Sequence, residues 1–366
     1  MTKFDEAAYA QKLMDMGSDR ATALSVSRKM AESSAANSAE PKPVKKSVYQ
    51  KRIEAQTRPG ELWQEEKQQP TAPSIPSIRK PPKGDAQPDL LMPMLYDVGT
   101  RDSRNIMDVA VFRLSKRDRR AGELIRYELP DGHVEVSAGP AGMASVWDYD
   151  LVLMAVSHLT ESMNRYREGK GDKPGRVFRP HVADVLKFCR RANGGKQKDD
   201  LVETCIRLNT THVAMQRTRK AKNGRMITVS EGEALISRYK IINNASGRPE
   251  HIEIELADWM YREVTEGKNP DVLTVHPDYF LIDPGIGRFL YRLARRAAGK
   301  GEAKWSFQTV YERSGSAGTF KEFCRILRRL IEANDLPEYT LKEQSGQSGP
   351  LLLMKHREAA ALPGGV

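Results

Sequence analysis

The stretch WSFQTVYERSGSAGTFKEFCRILRRLIEAN, residues 305–334, decides how the chain is read. It divides into a short helix at about 307–313, a turn of small residues (Ser314, Gly315, Ser316, Ala317, Gly318) and a longer helix opening at Thr319. Thr319 is an N-cap residue, and Glu322 three positions on completes a capping box. At about 100° per residue, one arc of the second helix collects Phe320, Phe323, Cys324, Leu327, Leu330 and Ile331. The opposite arc collects Lys321, Arg325, Arg328 and Arg329, with Glu332 among them and Ile326 at the border. A short helix, a tight turn and a helix greasy below and cationic above predict a helix-turn-helix. Its second helix lies in the DNA major groove and its first braces it. The plain alternative is an amphipathic surface helix with solvated cations.

The 366 residues allow about two domains plus extensions, and 59 basic against 48 acidic residues leave a net charge of +11. That balance favours a polyanionic partner, nucleic acid above all. Cys189, Cys205 and Cys324 lie far apart without a C-x-x-C pair, which indicates neither zinc nor a disulfide framework and fits small buried hydrophobes in a reduced compartment. No apolar run approaches the ~20 residues of a membrane span. MTKFDEAAY lacks the basic-then-apolar pattern of a signal peptide, so a cytoplasmic protein is expected, with no membrane partner.

Residues 4–31 predict two short helices broken at Gly17, with Ser18 as the second cap. From about 33 to 88 the composition shifts to Ser, Ala, Pro, Lys and Gln, and a disordered linker is expected, interrupted by a helix near 51–66. Beyond it, residues 105–114 alternate as a strand, and LIRYELPDGHVEVSA forms a hairpin across Asp131 and Gly132. WDYDLVLMAVSHLTESMNRY is a buried helix with Asp148 near its start as cap. HVADVLKFCRRAN, Gly194-Gly195 and KQKDDLVETCIRLN make a second helix–turn–helix unit, with Lys196, Lys198, Glu203 and Arg207 outward. THVAMQR and RMITVSEGEALISRYKII flank a basic tip (Arg217, Arg219, Lys220, Lys222, Arg225) that has the form of a wing resting on sugar-phosphate. HIEIEL is a strand, ADWMYREVTEG a helix, and a helix at about 284–298 carries Arg288, Arg292, Arg295 and Arg296. After the opening stretch, EYTLKEQSGQSGPLLLMKH forms a hairpin, a second candidate wing.

The fold class expected is α+β, two tandem winged-helix domains after a largely disordered N-terminal extension. The divisions fall at 1–88 (extension), 89–268 (first winged helix, phosphate contacts and dimerisation), 269–356 (second, main readout) and 357–366 (flexible tail).

Ser145, Val146, Trp147 and Asp148 with DLVLMAVSHL resemble the "IWD" helix of plasmid replication initiators of the replication initiator protein A (RepA-like) family. The segments R-x-H-V-A-D-V-L…N-G-G-K, ELADWMYREV, VLTVHPDYFLIDPGIGRFLYRLARRAAG and ERSGSAGTFKEFCRILRRLIEANDLPEYTL keep the family's order across about 88–341. The resemblance implies tandem winged helices that bind repeated double-stranded sites (iterons, direct repeats) at a plasmid origin. It also implies recruitment of host initiator and helicase proteins, and dimerisation through the N-terminal winged helix. The C-terminal winged helix would carry the main base readout. The extension before residue 89 lies outside the pattern.

No catalysis, cofactor or metal is expected. Seven histidines show no ligand spacing, Asp199 and Asp200 are helix-start residues, and Gly194-Gly195-Lys196 lacks the rest of a phosphate-binding loop. Affinity is expected from phosphate neutralisation by Arg292, Arg295, Arg296, Lys220, Lys222 and Arg225, joined by Arg219, Lys196, Lys198 and Arg207. Specificity is expected on Lys321, Arg325, Arg328 and Arg329, since arginine presents a bidentate fork to guanine. The same elements would also serve a transcriptional regulator with no part in initiation, or an adaptor whose tail recruits partners.

Overall fold

The structure, a computed structural model, describes residues 19–37, 77–82, 100–220, 224–266 and 270–357, with positions 7, 11, 14 and 15. The break at Gly17, the helix expected at 51–66, most of the expected linker and the tail after 357 lie outside the described residues. The chain divides into two units, Met1–Gln64 and Glu65–Val366. In the first, α1 (Arg20–Asn37) is capped by Asp19 rather than Ser18: its carboxylate accepts from the amides of Ala21 and Thr22, both at 3.0 Å.

The second unit opens with a correction to the expected disorder. Ser77 is buried and Ile78 half-buried, and Ile78 bridges antiparallel to Ile282. Composition averaged over the Pro-rich stretch hides this short apolar anchor.

β1 (Arg101–Ser103) pairs with β9 (Val272–Thr274), so sequence-distant ends meet. The strand expected at 105–114 is not one. A 3-10 turn (Arg104–Ile106) leads into irregular chain whose Ile106, Met107, Val109, Ala110, Val111 and Phe112 are all buried. Its backbone bonds singly to several partners instead of a ladder: Ala110 N–H to Arg313 O at 3.0 Å and Arg113 N–H to Ala144 O at 2.9 Å. A strand with one buried face would alternate; this segment is buried all round.

β2 (Leu124–Leu129) and β3 (Gly132–Ala138) form the expected hairpin, in register Leu129↔Gly132. α2 (Tyr149–Arg167) follows, buried along most of its length. Then come β4 (Val177–Phe178), α3 (Val182–Phe188) and α4 (Gly195–Thr210), the last burying Leu201, Thr204, Cys205 and Leu208 as the helical spacing required.

The next stretch departs from the sequence reading. β5 (Thr211–Lys220) and β6 (Met226–Ala234) join the β2–β3 hairpin in a four-stranded sheet ordered β2-β3-β5-β6. Buried Leu235 separates β6 from β7 (Ile236–Asn243), which enters a different sheet, β4-β8-β7, with β8 (Pro249–Leu256). The basic tip therefore belongs to a hairpin outside the sheet that α3 and α4 accompany. The hairpin inside that sheet is β7–β8, with its tip at Asn244 and Gly247.

α5 (Asp258–Thr265) packs on α2. A 3-10 turn (Pro277–Leu281) leads to α6 (Gly285–Ala297), whose residues from Gly285 to Ala294 are all buried. β10 (Glu302–Ser306) is a strand the sequence reading lacked. It is followed by α7 (Phe307–Ser314), α8 (Phe320–Ala333), β11 (Tyr339–Gly346) and β12 (Gly349–His356). These three strands form a sheet ordered β10-β12-β11. The order helix–strand–helix–helix–hairpin thus occurs twice, as α2-β4-α3-α4-(β7-β8) and α6-β10-α7-α8-(β11-β12). In both, the first strand pairs with the last. One buried cluster runs through both halves, from Ile106 to Met354.

Candidate nucleic-acid interface

α8 is built as its spacing requires. The Thr319 side chain accepts from the Glu322 amide at 3.2 Å. Phe323, Cys324, Leu327 and Leu330 are buried, while Phe320, Ile326 and Ile331 are half-buried. Lys321, Arg325, Arg328 and Arg329 are all exposed, so the cationic ridge stands outward. Their company differs. Arg325 lies 3.9 Å from Glu322. Arg328 donates to Glu343 of β11 at 3.0 and 2.9 Å, and its guanidinium lies 5.7 Å over the Phe307 ring. Arg328 is therefore fixed against the hairpin, whereas Arg329 has no ion-pair partner among the described residues.

The turn before α8 admits one residue type. Gly315 closes α7 in the left-handed region, φ 56°, and a side chain there would stand 2.2 Å from the Tyr127 hydroxyl oxygen. Arg120 donates to Gly315 O at 2.5 Å, and Tyr127 donates to Ala110 O at 2.6 Å. The four-stranded sheet and the irregular 108–120 segment thus buttress the second helix–turn–helix.

The arginines of α6 correct the expected phosphate row. Arg292 is completely buried, its Nε 2.5 Å from the Asp102 carboxylate and its guanidinium 4.8 and 4.9 Å over the rings of Phe112 and Tyr149. Burial works against its charge, and Asp102 more than offsets this, so its pKa lies above the usual arginine value. It cannot reach a phosphate. Arg288 is buried too, donating to Asp150 at 2.6 Å and to the carbonyls of Ile282 and Phe280 at 2.8 and 2.7 Å. Arg295 is half-buried and donates to Thr274 O at 2.7 Å; Arg296 is half-buried with its Nε enclosed. Arg288, Arg292 and Arg295 thus bind α6 to neighbouring elements, and burial rules out the expected phosphate contact for Arg292 alone.

Arg207 is corrected likewise. On α4 it grips Asp148 through Nε and Nη2 at 2.9 and 2.8 Å, and Thr204 adds a hydroxyl at 2.7 Å. Asp148 also accepts from Ser145 N at 2.7 Å, so it is a hub rather than the helix cap the sequence suggested. Burial opposes its charge, but Arg207, Ser145 and Thr204 hold its carboxyl below the ordinary aspartate value. Lys196 is exposed and Lys198 half-buried on α4. Arg225 is exposed at the start of the β6 side of the tip. Arg219 and Lys220 end β5 opposite Ile227 and Met226, and the side chains of both, with Lys222 entirely, lie outside the described residues.

The sequence reading assigned Asp148 a capping role and assigned none to Asp102, Asp150 or Glu343. A signal was available only for Asp148 and Asp150, acids in the apolar run VWDYDLVL, which call for buried counter-ions; Asp102 and Glu343 sit among polar residues and carried none. All three cysteines are buried, and burial pushes the thiols of Cys189 and Cys205 up to about 12. His158 stacks on Phe178 at 5.0 Å, and His276 caps the 3-10 turn by accepting from Asp278 N. Among the described residues no group of three or more His, Cys, Asp or Glu could hold a metal, and no helix is long and apolar enough to cross a membrane.

The profile of the replication initiator protein A family matches residues 101–341. The chain belongs to the replication initiator protein A family. The match runs from β1 into β11, taking in both helix–turn–helix units and the buried pairs of this initiator, and it leaves residues 77–82 outside. A protein of Wigglesworthia glossinidia brevipalpis, provisionally named as a replication protein, is 29% identical over 240 residues, 64% of this chain and 82% of that protein. Two crystal structures of domains 2 and 3 of RctB align with TM-scores of 0.45 at 14% and 12% identity, covering 69% of this chain and 98% and 96% of theirs.

Proposed function

We propose that this initiator-family chain works by binding duplex DNA through two winged helices, with α8 as the base-reading helix and β11–β12 as its wing. The single observation that carries the reading is the outward ridge of Lys321, Arg325, Arg328 and Arg329 above a buried apolar face, in a helix–turn–helix flanked by a hairpin. α4, with Lys196 and Lys198, and the basic tip with Arg225 would hold phosphates. Arg328, pinned by Glu343, would set the wing's angle more than read a base.

The DNA is a set of direct repeats at a plasmid origin. Several copies bound side by side bend the duplex and help an A·T-rich segment open, and host initiator and helicase proteins are recruited there. No catalytic step by this chain is involved. A dimer off DNA and repression of its own promoter fit the same elements. Nuclease protection of the DNA beside the coding region tests the proposal. Protected repeats at one helical phase support it; a single inverted repeat over a promoter would indicate a regulator instead.

A further inference from the structure

We propose that residues 77–79, which precede the family-matched region, are a clasp that positions α8 relative to the first helix–turn–helix and thereby strengthens binding to adjacent DNA sites. The inference rests on the reading of α8 as the DNA-contacting helix. Its physical basis is a set of bonds between a short segment and the ends of three separate elements.

α8 closes on Asn334 in the left-handed region, φ 44°, and Asp335 is the next residue. The Asp335 carboxylate accepts from the Ser77 amide at 2.8 Å and from the Ser77 hydroxyl. Ser77 O accepts from Asp283 N at 2.8 Å, and Arg79 N–H donates to Leu281 O at 2.9 Å, flanking the Ile78↔Ile282 bridge. The Arg79 guanidinium then spans two carbonyls, Phe280 O at 3.2 Å and Arg190 O at 2.6 Å. Arg190 sits just beyond α3 with φ 51°, where the first helix–turn–helix makes its turn, and it pairs with Asp278. Three consecutive residues therefore tie the turn of one DNA-binding unit to the far end of the reading helix of the other. Asp335 has no other hydrogen-bond or ion-pair partner among the described residues.

The buried pairs on α6 fix the first helix of the second helix–turn–helix. The C-terminal end of α8 is tied to its own hairpin, where Leu341 N–H donates to the Asn334 side chain at 2.8 Å, and Ser77 is what ties it to the first half. Two binding modules held at a fixed angle engage adjacent sites without ordering cost at the moment of binding. Releasing the clasp should leave each module able to bind while making the pair less well matched to the spacing of the DNA. Ser77, Ile78 and Arg79 are thus positioning residues.

The test compares full-length wild type, Ile78→Val, Ile78→Asp and Arg329→Ala. The probes are the footprinted origin duplex and versions of it with one to five base pairs added between sites. Hydrogen exchange is followed at the amides of Arg79 and Asp283. The expected result is faster exchange in Ile78→Asp, roughly tenfold weaker binding to the native duplex and a flattened dependence on spacing, with Ile78→Val like wild type. Faster exchange with unchanged affinity and spacing dependence, while Arg329→Ala still weakens binding, would overturn the clasp alone. No effect from either Ile78→Asp or Arg329→Ala would overturn the clasp together with the DNA role of α8. If Ile78→Asp does not fold, Ser77→Ala with Arg79→Ala, which leaves the apolar anchor in place, is held to the same criteria.

Discussion

The Asp102–Arg292 pair is the sharpest place to perturb the junction between the halves. Asp102→Asn keeps the side-chain shape and removes the charge that faces a completely buried guanidinium. Breaking a buried pair by removing one partner costs about 3–5 kcal/mol, because the remaining charge is left uncompensated. Here the Phe112 and Tyr149 rings still receive the cation at 4.8 and 4.9 Å, and such contacts are worth up to about 2 kcal/mol when desolvated. The lower end, about 3 kcal/mol, is therefore expected. At a denaturant slope of roughly 3 kcal/mol per molar, the urea midpoint falls by about 1 M, read by the fluorescence of Trp147, Trp259 and Trp305. Adding Arg292→Met removes the stranded charge, so the double variant should recover most of the loss. Refutation would be an Asp102→Asn variant within about 1 kcal/mol of wild type, with the two substitutions simply additive.

Gly315→Ala should destabilise by more than the ~1–2 kcal/mol of a left-handed non-glycine residue, since the new methyl meets the Tyr127 hydroxyl. Combining it with Tyr127→Phe should recover only the steric part of the lost melting temperature. Asp148 has a folded pKa below its unfolded value, so its contribution is present above the unfolded pKa, near 4, and is lost as pH falls through the lower folded value. Asp148→Asn should remove that part of the acid denaturation profile and lower stability at neutral pH, as a pH series of melts would report. Arg207→Ala should lower the melting temperature while leaving the salt slope of DNA binding unchanged. Lys196→Ala should do the reverse, flattening that slope by about one counter-ion.

The second helix–turn–helix was legible because its pattern is local: a cap, a turn of small residues and an apolar arc at helical spacing are read within residues 305–334. The first was legible as helices for the same reason. The sheets were not, because pairing is decided between distant residues. Nothing near Thr218 or Gly224 says that β5 and β6 join the β2–β3 hairpin, and β10 is recognisable only by its pairing with β12. The fate of the arginines was hidden likewise. Arg292 and Arg325 look alike in sequence, and only the arrival of Asp102, 190 residues away in the chain, puts one inside. A count of basic residues therefore overstates the surface available to a polyanion, and the cations on α8 remain because no acid of the core faces them.

Base reading by α8 is decided by equilibrium binding to the footprinted site and to a scrambled duplex of equal length, at one salt concentration. Arg325→Ala and Arg329→Ala should each weaken the specific complex by roughly 5- to 150-fold, the equivalent of about 1–3 kcal/mol per base contact, and weaken the scrambled complex far less. Equal losses on both duplexes, or no loss on either, would contradict it.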